Sequence, residues 1–143
     1  MAVGGVWGKL LHVDLTDGRQ WIEEPSDEIY LKLLGGRAMA AWLLLRDLPA
    51  GADPLGPENL LIFAPGILQG SNLPGAGRHG VAAKSPLTGA IASAEAGGWW
   101  GHEFKRTGHD ALIVHGKSDS PVYLWIKDGE VEIRSAKHLS GKD

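Results

Sequence analysis

The residues most able to do chemistry in this sequence are one arginine and the glycines around it. Nine of the 21 glycines fall within residues 64–101, and Arg78 lies among them in the run GAGRHG. Average glycine usage is about 7%, so this stretch is enriched roughly threefold. Glycine permits positive φ and close approach of the backbone to a ligand, while arginine offers a planar, permanently charged fork. The combination predicts a binding surface for a flat or phosphorylated anion, and the alternative is a set of tight turns between strands.

Residues 75–80 formally match the dinucleotide-binding pattern G-x-G-x-x-G. That site needs a strand directly before the glycines and a helix directly after them. Pro74 precedes the motif and Pro86 follows it closely, which disfavours a long helix. We therefore reject a dinucleotide-binding interpretation, and no Walker-type phosphate loop is present in the sequence.

Other chemistry-bearing residues are scattered along the chain. None of the six histidines is paired at metal-ligand spacing, and His102-Glu103 lacks the second histidine of H-E-x-x-H. His79 stays a candidate because it adjoins Arg78. Trp99 and Trp100 follow Gly97-Gly98 and predict either a platform for a flat ligand or part of the core. We predict no catalytic residue within this chain.

Composition excludes several classes of function. The formal net charge of −3 and the absence of basic clusters argue against nucleic acid as a partner. The longest apolar run, residues 38–45, is too short to span a bilayer, and no signal peptide is predicted at the start. The chain has no cysteine, which excludes disulfides and thiolate-bound metals within it and is typical of a reducing, cytoplasmic setting.

Hydrophobic periodicity and turn signals predict a mixed α+β domain. Strands are predicted at 9–15, 20–24, 60–64, 80–83, 90–94 and 111–115, with a hairpin at 122–127 and 130–134. Helices are predicted after Ser26, at 37–47 and at 101–107. In the first helix, Tyr30, Leu31 and Leu34 are expected to face the core. In the second, the spacing of Met39, Trp42, Leu43 and Leu45 predicts a helix buried over much of its circumference.

Six blocks along the chain carry a resemblance to a known family. They are WGKLLHVDLTDG (7–18), LLGGRAMAAWLL (33–44), DPLGPENLLIFAPG (53–66), GAGRHGVAAKSPLTG (75–89), AGGWWGHEFKRTGHDALIVHGK (96–117) and PVYLWIKDGEVEI (121–133). Together, and in this order, they resemble the N-terminal domain of the tungsten-dependent aldehyde:ferredoxin oxidoreductases.

The resemblance implies a fold, a cofactor and an activity. The family domain is an α+β fold of two subdomains related by a pseudo-dyad, and this chain resembles its first part. That domain forms a base for a tungsten bis-pterin, for which molybdenum is the alternative metal. The family oxidises aldehydes to carboxylic acids and passes electrons to ferredoxin, and a [4Fe-4S] cluster is held by cysteines of later helical domains.

The resemblance also assigns site residues. Arg78 matches the family arginine that lies between pterin and cluster, where its fork would stabilise negative charge. Gly97 matches a backbone contact to the pterin, and the neighbouring Ala96 and Gly98 would line the same face. Glu95 stands where a member of the family has asparagine. Its main-chain carbonyl is expected to bind a magnesium ion that bridges the pterin phosphates.

Residues 1–143 are thus predicted to be a partial pterin-binding domain, without the second half-domain and the cluster-binding domains. We expect the isolated chain to be inactive and to require the remainder of the enzyme or a companion subunit. The alternative is a non-catalytic binding or assembly module that keeps the fold. A homodimer is a further expectation, because half of a pseudo-symmetric fold would expose apolar surface.

Overall fold

The computed structural model of the chain describes residues 4–142. The strands are β1 (Leu10–Asp14), β2 (Gln20–Glu23), β3 (Leu61–Pro65), β4 (His79–Lys84), β5 (Ile91–Ala96), β6 (Ala111–His115), β7 (Val122–Lys127) and β8 (Glu130–Ser135). The helices are α1 (Asp27–Leu33), α2 (Gly36–Asp47) and α3 (Trp100–Arg106). Every predicted helix and strand is present, which confirms the mixed α+β fold class.

The first six strands form one mixed sheet in the order β2-β1-β6-β3-β4-β5. Strands β1 and β6 run parallel, while the other neighbouring pairs are antiparallel. Strands β7 and β8 form a separate two-stranded hairpin. The parallel pair joins two strands about 100 residues apart, a pairing that single-sequence turn signals do not predict.

Side chains alternate between the two faces of the large sheet, and both faces are covered over its central strands, whereas every residue of the edge strand β5 is exposed. Leu10, Ile62 and Ile113 pack beneath α1 and α2 in the larger core cluster. Their neighbours Leu11 and Leu112 pack on the opposite face, beneath α3 and the hairpin. The domain therefore has three layers, and β4 and β5 lie at one edge of the middle layer.

Two core predictions for the helices are wrong. In α1, Tyr30 is buried, but Leu31 and Leu34 are exposed, because Leu33 takes the inward position one turn after Tyr30. In α2, the buried residues form one face rather than most of the circumference, and Leu45 is exposed. Ser26 stands at the predicted N-cap of α1, although its side chain makes no capping hydrogen bond.

Candidate functional site

The candidate site is a corner of the sheet where β3 ends, β4 begins and β5 ends. We call it the glycine corner; it consists of Gly35–Arg37, Gly66, Gly75–Gly80 and Glu95–Gly98. The strand ends meet there because Pro65 pairs with His79, which pairs with Ala96 on its other side. The link between α1 and α2 closes the corner through an isolated bridge between Gly35 and Gly66.

The glycines of this corner serve two different purposes. A Cβ on Gly35 would lie 2.5 Å from a carbonyl oxygen of β3, and one on Gly80 would lie 3.1 Å from the backbone nitrogen of Arg37. These two positions allow the start of α2 to sit directly on the sheet. Gly75 and Gly98 have positive φ and no neighbouring atom within 4 Å of a Cβ, so they serve turns. The tight-turn alternative therefore applies to Gly75 and Gly98, Gly80 serves packing within the chain, and the ligand-binding surface stays a prediction.

Arg78 is exposed and lies just before β4. Its guanidinium makes no hydrogen bond or ion pair with any residue in 4–142, although its carbonyl accepts a hydrogen bond from Gly66. It lines a cavity of about 320 Å³. The other lining residues are Leu34, Gly66, Ile67, Leu68, Gln69, Gly75 and Ala76. A permanently charged fork beside a largely apolar, glycine-lined cavity suits an anionic ligand with a flat body.

Glu95 lies opposite Gly80 in the β4–β5 register, which puts its side chain on the face covered by α2. There Arg37 Nη2 donates a hydrogen bond to Glu95 Oε1 at 2.9 Å. The ion pair is exposed to solvent, with 62% of the arginine side chain and 36% of the glutamate side chain accessible. The corner therefore carries two guanidinium groups and one carboxylate.

The predicted residues Ala96, Gly97 and Gly98 all lie in this corner and are exposed. Ala96 ends β5, and a Cβ on Gly97 would lie 3.9 Å from the carbonyl oxygen of Gly77, next to Arg78. The structure thus brings Arg78 together with Glu95–Gly98, which are 17 to 20 positions away in sequence. Among residues 4–142 no group of three or more acidic or histidine side chains could hold a metal ion. The carbonyl site for magnesium on Glu95 stays a prediction.

Of the two tryptophans, Trp100 fits the core alternative, whereas Trp99 is exposed. Trp100 stacks on Phe104 with ring centroids 5.1 Å apart and also contacts His79, so it belongs partly to the core. Trp99 is 76% exposed and provides no enclosed platform. His79 is buried behind the corner, its Nδ1 atom has no hydrogen-bond partner in the described chain, and burial lowers its pKa.

Sequence reasoning missed two polar residues of the site. Arg37 directly follows the Gly35-Gly36 pair. An arginine beside two glycines is the sequence signal that could have identified it as a site residue. Gln69 is 2% exposed, and neither its amide nitrogen nor its amide oxygen has a partner among residues 4–142. Its amide lies against Gly101 at the start of α3 and the residue contributes to the wall of the Arg78 cavity. Buried amides are normally hydrogen-bonded, so this one is an orphaned polar group beside the candidate site.

A second polar cluster lies at the other end of the sheet, beneath α2. His12 Nδ1 and His115 Nε2 are 2.9 Å apart, and His12 Nε2 is 3.1 Å from Glu23 Oε2. Arg46 binds the same carboxylate through two hydrogen bonds. Burial lowers the pKa of His12, with a further decrease from the His115 ring, and hydrogen bonds from Arg46 lower the pKa of Glu23. The amino-acid sequence alone does not predict this histidine pair, because the pair depends on the parallel β1–β6 pairing.

We expect stability to fall as the pH drops below about 6.5, the usual histidine pKa. Burial lowers the pKa of His12, His79, His109 and His115 in the folded state. Below pH 6.5 the unfolded chain therefore binds protons that the folded chain does not. Each such histidine adds at most about 1.4 kcal/mol per pH unit to the slope. Urea unfolding at pH 5.0 to 7.5 measures this loss.

His12→Gln provides the matched comparison for that pH profile. The variant is expected to flatten the profile because it removes one of the four histidines, and His138→Gln, which replaces an exposed histidine, serves as the surface control. A free energy of unfolding that stays constant or rises from pH 7 to pH 5.5 would contradict this assignment.

The comparisons with known proteins agree on one family. The family model described as "Aldehyde ferredoxin oxidoreductase, N-terminal domain" matches residues 10–143. The tungsten-containing aldehyde ferredoxin oxidoreductase of Thermococcus kodakarensis is 50% identical over 138 residues, which is 96% of this chain and 23% of the relative. The aliphatic sulfonate oxidoreductase, WOR-like subunit, of Pyrococcus furiosus is 39% identical over 94% of this chain and 22% of the relative.

A solved structure shows the same fold. It is the active site complex BamBC of benzoyl coenzyme A reductase in complex with 1,5-dienoyl-CoA. One of its chains superposes with a TM-score of 0.92 and 40% identity, over 96% of this chain and 21% of that chain. This chain thus spans less than a quarter of the length of each of these relatives.

No helix among residues 4–142 is long and apolar enough to cross a membrane.

Proposed function

Because the chain belongs to the aldehyde ferredoxin oxidoreductase family, we propose that its glycine corner forms one wall of the site for a tungsten pterin cofactor. The observation that carries the proposal is the Arg78 guanidinium, which is exposed, has no partner in residues 4–142 and lines a cavity of about 320 Å³. The names of its relatives supply the metal, since several are tungsten-containing enzymes.

The residues of the corner fit such a group in two respects. The main chain is accessible at Gly97 and Gly98, where no side chain blocks a flat ring system. The Arg78 fork can bind phosphate or ring oxygens with two parallel hydrogen bonds. An exposed guanidinium without a partner in the described chain, beside accessible main chain, suits an anionic ligand.

When bound, the tungsten pterin would supply oxygen-atom and electron transfer in the oxidation of an aldehyde to a carboxylic acid. The task of this chain is to hold and orient the cofactor and to balance its charge. Arg78 offsets negative charge, and the Glu95 main-chain carbonyl would bind magnesium at the phosphates. The [4Fe-4S] cluster and the contact with ferredoxin belong to the remainder of the enzyme or a companion subunit. We place this activity in the cytoplasm, since a chain without cysteine suits a reducing compartment.

The test compares the unmodified protein with Arg78→Gln, each purified together with any companion segment. Tungsten is measured by mass spectrometry and pterin by the fluorescence of its oxidised form. Hydrogen bonds to charged groups contribute about 1.5–3 kcal/mol, so the substitution should weaken cofactor retention about ten- to a hundredfold.

Arg134→Gln is the control for that test, because Arg134 lies on the separate β7–β8 hairpin and pairs with Glu132 on its own strand. It should retain the tungsten and pterin of the unmodified protein. Full retention of both by Arg78→Gln would contradict the role proposed for Arg78. Absence of both from the unmodified assembly would contradict the cofactor itself.

A further inference from the structure

We propose that Arg37 is a second phosphate-binding residue of the glycine corner, held by Glu95 until a phosphorylated ligand and its divalent cation arrive. The inference rests on the proposed function, because it deepens the account of the same corner. It assigns the side chain of Glu95 a role as well, as the carboxylate that Arg37 releases to the cation.

The backbone of Arg37 is fixed over the ends of β4 and β5. Arg37 is the second residue of α2, and its backbone nitrogen would lie 3.1 Å from a Cβ on Gly80. A Cβ at position 80 would push the start of α2 back by a few tenths of an ångström, so glycine there keeps α2 close to the sheet. Gly35 brings the preceding turn even closer to β3, since a Cβ there would lie 2.5 Å from the Pro65 carbonyl oxygen. The guanidinium therefore starts from a rigid anchor and can move only through its own side-chain rotations.

The Arg37–Glu95 ion pair can exchange partners at a small cost in free energy. Within residues 4–142 only Nη2 of the Arg37 guanidinium is bonded, to one carboxylate oxygen, although a guanidinium carries five N–H donors. With 62% of the arginine side chain exposed, the pair resembles surface ion pairs that contribute between zero and about 1 kcal/mol. Arg46, by contrast, makes two bonds to Glu23 in its own cluster and is only 33% exposed.

The charges of the glycine corner determine which ligand favours the release of Arg37 from Glu95. Glu95 is the only acidic side chain of the glycine corner, and left unpaired it would repel a phosphate placed beside Arg78. Paired with Arg37, it is neutralised, and the corner keeps the single excess positive charge of Arg78. A divalent cation that takes the carboxylate frees Arg37 for the phosphate, and hard cations of the magnesium type bind through one or two carboxylates plus phosphate oxygens. Cation and anion are therefore expected to bind together.

The experiment is a double-mutant cycle read by inorganic pyrophosphate binding to the 143-residue chain, measured by calorimetry in the presence of EDTA. If Glu95 holds Arg37, Glu95→Gln both frees the guanidinium and removes the repulsion between the carboxylate and the phosphate, so pyrophosphate binding should tighten up to about tenfold. In the Arg37→Gln background only the repulsion is removed, so the same substitution should tighten binding no more than about twofold. Arg37→Lys keeps the positive charge but lacks the planar guanidinium. Its affinity for pyrophosphate should therefore lie between the affinities of the unmodified chain and Arg37→Gln.

Equal effects of Glu95→Gln in both backgrounds would overturn the inference, because the carboxylate would then act by repulsion alone. The inference would also be overturned if the unmodified chain bound no pyrophosphate, or if Arg37→Gln bound pyrophosphate with unchanged affinity. Arg134→Gln should bind pyrophosphate like the unmodified chain, and circular dichroism checks that each variant is folded. The tungsten and pterin contents described above test the cofactor itself. If the assembly contains no tungsten but the double-mutant cycle shows coupling between Arg37 and Glu95, the proposed function is contradicted. Arg37 would then still be a phosphate-binding residue.

Discussion

Asp110→Ala is expected to lower the free energy of unfolding by about 3–5 kcal/mol, the range found when one partner of a buried ion pair is removed. Asp110 and Lys105 are both about 95% buried, and Lys105 Nζ lies 2.5 Å from Asp110 Oδ1. The substitution leaves the ammonium group buried, with the Gly5 carbonyl oxygen as its remaining hydrogen-bond partner in the described chain. Urea unfolding at pH 7.5 measures the loss.

The carboxylate also fastens the start of the chain to the sheet. The oxygens of Asp110 accept hydrogen bonds from the backbone nitrogens of Trp7, Gly8 and Lys9. The Trp7 indole donates a further bond to the carbonyl of Lys105 on α3 at 2.6 Å. Asp110→Ala therefore removes the acceptor of three backbone donors as well as the counter-charge of Lys105. Amide hydrogen exchange at residues 7–9 should accelerate together with the loss of global stability.

Two variants separate these contributions. Glu103→Ala removes a carboxylate from the same helix as Lys105, but its pair with Arg106 is exposed on both sides, so a change of no more than about 1 kcal/mol is expected. Lys105→Met leaves Asp110 with its three backbone donors and should destabilise the chain less than Asp110→Ala. If Asp110→Ala costs no more than Glu103→Ala, the buried pair does not hold this segment.

Local pattern was sufficient to predict the elements of this chain but not its long-range contacts. Strand β6 was predicted with its observed bounds because its apolar run is short and ends at a glycine. The hairpin at 122–135 was placed by Asp128-Gly129, which both have positive φ. The parallel pairing of β1 with β6, and hence the His12–His115 contact, depends on chain closure over about 100 residues, which no local signal encodes.

The residues of the candidate site were likewise predicted where a local pattern marks them and missed where only long-range packing brings them to the site. The glycine-rich run drew attention to Arg78, and the family resemblance added Glu95–Gly98, which the structure places in one corner. Arg37 was missed because it reaches the corner through packing of α2 on Gly80, and its ionic partner is 58 residues away. Gln69 was missed because burial without a partner is a property of the packed chain and not of a sequence pattern.

Gly35→Ala is expected to destabilise the chain by about 2–5 kcal/mol, as the sum of backbone strain and overpacking. Gly35 has φ 73° and ψ −156°, a region that is essentially restricted to glycine. Its Cβ would lie 2.5 Å from the Pro65 carbonyl oxygen and 3.2 Å from the Ile67 nitrogen, and both neighbours are backbone atoms that cannot rotate away. Thermal and urea unfolding measure the loss.

Gly36→Ala is the matched control, because the neighbouring glycine has φ 58° but no atom within 4 Å of a Cβ. It carries the conformational strain without the clash, so about 1–2 kcal/mol is expected. Since the clash at Gly35 would also displace the start of α2, Gly35→Ala should weaken pyrophosphate binding through Arg37 more than Gly36→Ala does. Equal stabilities for the two variants would mean that α2 can withdraw from β3 without cost. The glycine corner would then not be held rigid by backbone packing, and the fixed anchor assigned to Arg37 would be lost.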